Sequence, residues 1–89
     1  MYYLYILKSI TFSRHYIGIS ADTEVRLAKH NRGDVRSTKA YRPWEIAYVE
    51  EYNDKTDARR RELFLKKTAK ARHDLFESIE KMALSSRLV

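Results

Sequence analysis

The sequence has 89 residues, with 18 Lys and Arg against 12 Asp and Glu, a net charge of +6 and no cysteine. That length suits one domain with one modest core and excludes two independently folding units, while the missing thiols exclude disulfide scaffolds, cysteine nucleophiles and sulfur-ligated zinc. The basic balance favours a polyanionic partner such as nucleic acid, and the apolar opening Tyr2 to Leu7 is too short for a signal segment or a membrane span, so the expectation is a cytoplasmic protein without membrane contact.

Tyr2 to Lys8, rich in aromatic and aliphatic residues, reads as a strand buried on both faces. Alternation puts Tyr3, Tyr5 and Leu7 on one face and Tyr2, Leu4 and Ile6 on the other. His15 to Ser20 is a second strand, and the short link Ser9 to Arg14 makes the two an antiparallel hairpin that brings Tyr5 near Tyr16. Asp22 as N-cap, Glu24 in the first turn and Gly33 as terminator predict a helix over Thr23 to Asn31, with Arg26 and His30 on one face. Arg32 to Pro43 lacks periodicity and reads as a loop. Trp44 to Tyr52 reads as an interior strand with Trp44, Ile46 and Tyr48 on one face and Ala47 and Val49 on the other.

Asn53 or Asp54 can cap a second helix running to about Thr68, whose stripe of Ala58, Glu62, Leu65 and Ala69 follows helical spacing. Leu75, Phe76, Ile79 and Met82 repeat the amphipathic pattern in a third helix. Residues 1–82 then form the domain, and 83–89 a fraying tail. The whole is an α+β arrangement in the order β-β-α-β-α-α, a three-stranded, mostly antiparallel sheet flanked by three helices.

Tyr3-Leu4-Tyr5, Tyr16-Ile17-Gly18, the Arg26-x-x-x-His30 helix and Glu62 on a later helix, taken in that order, resemble the GIY-YIG nuclease superfamily. The likeness spans about residues 2 to 70. It is nearest to short stand-alone bacterial members related to the nuclease module of the excision-repair endonuclease, a DNA-repair enzyme. Those carry segments similar to His30-Asn31-x-Gly33, Arg42-Pro43 and Tyr48-Val49-Glu50. Tyr3 and Leu4 stand where the family name has Gly and Ile, and Ile19 and Ser20 stand where some members carry a Lys.

The resemblance implies a metal-dependent endonuclease that hydrolyses phosphodiester bonds in DNA or RNA, and it assigns the parts. Glu62 would hold one divalent ion. With His15, His30 and His73 too scattered for a zinc cage, that ion is Mg2+ or Mn2+, which accept carboxylate, phosphate and water oxygens. Arg26 would neutralise charge on the scissile phosphate. Tyr5 would be the general base with Tyr16 holding phosphate or water beside it; the reverse assignment stays open. His30 would bind phosphate or relay a proton. Lys29, Arg32, Arg36, Lys39 and Arg42 would form a phosphate-tracking rim, with Tyr41 available to stack on a base.

Each has a plainer reading: core tyrosines, a solvated Arg-His face, a Glu62 paired to Arg59, Arg60 or Arg61, and a solvated loop. Lys66, Lys67, Lys70 and Arg72 read as a solvated helix end, and Trp44 as core. Two other functions share these residues: a nucleic-acid-binding module without catalysis, and a protein-interaction domain with an incidental basic surface. No targeting domain is legible, so specificity would be loose, structure-based or supplied by a protein partner.

Overall fold

The computed structural model describes the backbone of residues 1–88 and the side chains of residues 1–84. In chain order the elements are β1 (Tyr2–Ser9), β2 (His15–Ser20), α1 (Thr23–Arg32), a 3-10 turn (Lys39–Tyr41), β3 (Trp44–Tyr52), α2 (Lys55–Lys67) and α3 (Ala69–Leu88). The three strands form one antiparallel sheet in the order β2-β1-β3. The backbone of residues 83–88, expected as a tail, therefore belongs to α3, and Val89 lies outside the described residues.

β1 is hydrophobic throughout because it is the central strand: Leu4, Tyr5, Ile6 and Leu7 are all at most 1% exposed. Leu4 and Ile6 on one face join Ile17, Leu65 and Ile79 in a core beneath α2 and α3. Tyr5 and Leu7 on the other face join Trp44 in a second core beside Leu27 of α1. Each such side chain contributes about 1.5–3 kcal/mol by leaving water, so this one strand anchors both layers.

β3 departs from the expectation of an interior strand. It forms the sheet's edge, with Glu45, Val49 and Glu51 exposed. Strict alternation also fails in it, because Ile6 pairs with Tyr48 while Leu7 pairs with Ile46, leaving Ala47 as the extra residue of a β-bulge. Tyr48 consequently lies on the Leu4 side and not on the Trp44 side. On that side Glu50 accepts hydrogen bonds from the hydroxyls of Tyr48 and Tyr52, each at 2.7 Å, and from Arg61 Nε at 3.0 Å. Burial acting alone would raise the Glu50 pKa, but Arg61 and the two hydroxyls hold it below the usual range. This cluster ties α2 to the sheet.

The helix ends follow the signals in the sequence. Asp22 accepts from the Val25 N–H at 3.1 Å and Asp54 from that of Asp57 at 3.0 Å. Gly33 sits at φ 86°, where a side chain would be strained, and its N–H closes α1 on His30 O. α2 presents Ala58, Glu62 and Leu65 inward as expected, whereas Ala69 opens α3 and is exposed. Ile79 is the buried residue of the α3 stripe, while Met82 is 56% exposed.

Candidate active site

Tyr5 lies opposite Gly18 on β2, and Tyr16 lies opposite Leu7. The Tyr5 ring extends over Gly18 so closely that a Cβ there would stand 2.5 Å from Tyr5 Oη and 2.6 Å from Cζ. The glycine in this strand thus makes room for a phenol. The rings of Tyr5 and Tyr16 are 6.3 Å apart, and that of His30 is 4.8 Å from Tyr16.

His30, fully buried on the last turn of α1, has both ring nitrogens engaged: Nε2 is 3.0 Å from Tyr5 Oη and Nδ1 is 2.8 Å from Thr38 Oγ1. Thr38 Oγ1 also lies 3.2 Å from Val35 O, which can only accept, so the threonine proton goes there and its lone pair receives Nδ1–H. Nε2 is then left to accept the Tyr5 O–H. Tyr5, His30 and Thr38 form a directed chain with the tyrosine proton aimed at imidazole.

Burial pushes the Tyr5 pKa up to about 12; Arg26, beside the hydroxyl, pulls the other way, and Tyr16 and Glu62 add in the raising direction. Arg26 holds its own proton more tightly, chiefly through the Tyr5 hydroxyl and further through that of Tyr16. Burial, with Arg26 as the second cause, lowers the His30 pKa to about 4. These shifts place Arg26, Tyr16 and Glu62 within electrostatic reach of one phenol.

Glu62, 4% exposed on α2, is ion-paired at both oxygens: Oε1 accepts from Arg59 Nη1 at 2.8 Å and Oε2 from Lys66 Nζ at 3.1 Å. Arg60 pairs instead with Asp57 and Arg61 with Glu50. Among the described residues no group of three or more His, Cys, Asp or Glu is assembled as a metal cage. A divalent ion here would have Glu62 as its protein carboxylate and take the rest of its shell from water and phosphate, a donor set that Mg2+ and Mn2+ accept. The Arg59 and Lys66 side chains are 58% and 47% exposed, so both can turn into solvent to admit it. The residues present fit one hard ion.

Lys29, Arg32, Arg36, Lys39 and Arg42 are exposed around the loop after α1. Two are already engaged, Arg32 with Asp34 at 2.9 Å and Arg42 through Nε to Lys39 O at 2.9 Å. Tyr41 is less open to a base than its position in the sequence suggests, since Arg14 lies 4.4 Å above its ring and Phe12 meets it edge-on at 5.4 Å.

Thr38 escaped the reading of the sequence, and Asn31 entered it only within the segment His30-Asn31-x-Gly33, without a role. The Asn31 side chain accepts from Trp44 N–H at 2.7 Å and donates to Trp44 O at 3.0 Å, imitating a strand partner, and Trp44 Nε1 donates to Thr38 O. Nothing local marks such residues, because their partners lie 8 and 13 positions away. Lys66 did carry a signal, four residues after Glu62 on one helix.

One prediction follows from His30. Its folded pKa of about 4 lies below the ordinary 6.5, so the unfolded chain binds the proton first as pH falls. The stability due to the neutral imidazole is complete above about 6.5 and is lost as pH drops toward 4. Urea midpoints between pH 7 and 4.5 should fall more steeply for the wild type than for His30→Gln. Parallel curves would contradict the buried neutral assignment.

Over residues 1–74 the sequence matches the family described as the GIY-YIG catalytic domain. A UPF0213 protein of Staphylococcus aureus is 38% identical over 66 residues, covering 73% of this chain and 79% of its own. One of Halobacterium salinarum is 28% identical over 75 residues, covering 83% and 96%. The solution NMR structure of a UPF0213 protein from Bacillus halodurans shares the fold with a TM-score of 0.53 at 24% identity, over 88% of this chain and 83% of that one. Among the described residues no helix is long and apolar enough to cross a membrane. The chain belongs to the GIY-YIG family, a nuclease-type family, alongside the small UPF0213 proteins.

Proposed function

We propose that the protein is a metal-dependent endonuclease that hydrolyses phosphodiester bonds in DNA or RNA, with Tyr5, Tyr16, Arg26, His30 and Glu62 as its working side chains. The observation that carries this reading is the Tyr5 hydroxyl, aimed at His30 at 3.0 Å with Arg26, Tyr16 and Glu62 around it. A core tyrosine needs one hydrogen-bond partner and has no use for this assembly of charges.

Arg26 neutralises charge that builds on the phosphate oxygens, its planar fork matching them. Tyr5 takes the proton of the attacking water while passing its own to His30 Nε2, so no free phenolate is required. Thr38 holds the imidazole in the tautomer able to receive it. Arg26 is one of the two causes of the low His30 pKa, so a phosphate that offsets Arg26 makes His30 the better acceptor. With both nitrogens engaged and no exposure, His30 suits a relay better than direct phosphate contact. Tyr16, half-buried at the mouth, orients water or phosphate. Glu62 would hold Mg2+ or Mn2+, whose chemistry there is Lewis-acid stabilisation of the phosphate.

Purified protein incubated with plasmid DNA or with RNA should nick it in Mg2+ or Mn2+, and Tyr5→Phe should slow nicking about a hundredfold or more. Nucleic acid left intact with either metal would reject the reading. The binding module without catalysis has one observation in its favour, the complete ion pairing of Glu62 without metal. It predicts metal-independent affinity, steeply salt-dependent, with no cleavage.

A further inference from the structure

β2 is an edge strand, and along its free side lies an open surface cavity of about 420 Å3 bordered by α2 and α3. Its lining includes Arg14, His15 and Tyr16 from β2 and the turn before it, Lys66 from α2, and Arg72 and Phe76 from α3, with no carboxylate. We propose that this cavity is a nucleotide subsite. It takes the phosphate and base of one unpaired nucleotide beside the scissile bond, so the substrate class is a polynucleotide that is single-stranded or frayed there. The proposal rests on the phosphodiesterase reading and names the substrate form that the same site accepts.

The cavity is continuous with the reaction centre, because Tyr16 and Lys66 belong to both: Lys66 bonds Glu62 at 3.1 Å and lies 6.0 Å from the centre of the Tyr16 ring. Its charge is cationic. Arg72 is anchored through Nη1, which donates to Leu65 O at 3.1 Å and Lys66 O at 3.0 Å at the end of α2. Among the described residues its Nε and Nη2 have no protein acceptor, so a rigidly held half-fork is left for a phosphate oxygen. The outward N–H groups of an edge strand are further donors.

The cavity wall also carries a stacking surface. His15 and Phe76 lie face to face with centroids 4.3 Å apart and planes 14° apart, and both are only partly buried, so a base can extend the stack. His15 Nε2 is buried and lies 3.6 Å from Glu80 Oε1, beyond hydrogen-bond distance, so the ring offers a nucleotide its stacking face and not this nitrogen. The volume is on the scale of one small organic ligand. A duplex keeps its bases paired and offers none to such a recess. Phe76 lies beyond residues 1–74, the span of the family match, whereas Arg72 on the first turn of α3 lies within it.

The test uses fluorescence anisotropy in EDTA with labelled DNA and RNA oligonucleotides: a single strand, a duplex with a single-stranded flap, and a blunt duplex. Arg72→Gln should weaken the first two about threefold to tenfold and lower the slope of log affinity against log salt by about 0.7. Binding to the blunt duplex should change less than twofold. Phe76→Leu, which keeps apolar bulk, should weaken the unpaired substrates about fivefold or more with the salt slope unchanged. Arg60→Gln, a charge removed from a side chain 78% exposed on α2 and outside the cavity lining, should change none of these. If thermal melting shows Arg72→Gln unfolded, Arg72→Lys replaces it and should show the weakened binding with the slope retained.

Equal losses on all three substrates, unchanged binding, or displacement of the probe by polyglutamate as readily as by unlabelled single strand would overturn the subsite. RNA and DNA arms that differ identify which polymer it prefers, and either preference supports it. Nicking is scored separately with metal, so a protein that binds as expected and never cuts condemns the catalytic reading and leaves the subsite standing.

Discussion

Replacing Glu62 with Gln should remove metal-dependent cleavage, a loss on the order of a thousandfold or more, while the protein stays folded and binds nucleic acid at least as well as before. The substitution keeps size and shape and removes the carboxylate proposed to hold a hard ion. Its partners Arg59 and Lys66 are 58% and 47% exposed, so each can be hydrated once released. Leaving these cations without a counter-charge therefore destabilises far less than stranding a buried one. A negative charge also leaves the neighbourhood of the phosphate, so affinity measured in EDTA should be unchanged or tighter. Nicking assays with Mg2+ and Mn2+, anisotropy and thermal melting are the three readouts. Cleavage at the wild-type rate by a folded Glu62→Gln protein would remove Glu62 from the mechanism.

Gly18→Ala should damage stability and activity together. The added methyl would meet Tyr5 Oη at 2.5 Å, Cζ at 2.6 Å and Tyr16 Cε2 at 3.0 Å. Tyr5 is 1% exposed and held by His30, so its ring has no free space into which to withdraw. Overpacking of this kind destabilises by about 1–3 kcal/mol, seen as a lower urea midpoint at unchanged slope. Displacing the hydroxyl by about 1 Å should slow nicking about a hundredfold. Combining Gly18→Ala with Tyr5→Phe removes one of the clashing atoms, so the double variant should lose less stability than the sum of the two single losses. Strict additivity would mean that the two residues do not touch.

The strands and helices were legible because each carries its own periodicity and end signals: the apolar run of β1, Asp22 and Gly33 bounding α1, and Asp54 before α2. The pairing of Tyr5 with Tyr16's strand followed from the short hairpin link. What the sequence left hidden depends on partners distant in the chain. The edge position of β3 follows from β1 taking the centre, and a nine-residue strand of mixed burial does not announce which place it takes. Thr38 orients His30 across a loop without pattern. Arg59 and Lys66 were visible beside Glu62, but three neighbouring arginines gave no sign that Arg61 would turn to Glu50 and Arg60 to Asp57. Likewise Tyr41 was legible as an aromatic among cations, and only the fold brings Arg14 over its face.

Ala47, the surplus residue of β3, has an effect out of proportion to its size. Regular alternation from Trp44 through Ala47 would send Glu50 to the same side of the sheet as Tyr5. Shifting the parity of the strand by one sends that acid to Arg61 and puts Val49 across from Tyr5. The same shift puts Glu51 across from Tyr3, at the exposed end of the Tyr5 face, so the bulge exchanges one acid for another and leaves the strand position next to the reacting phenol uncharged.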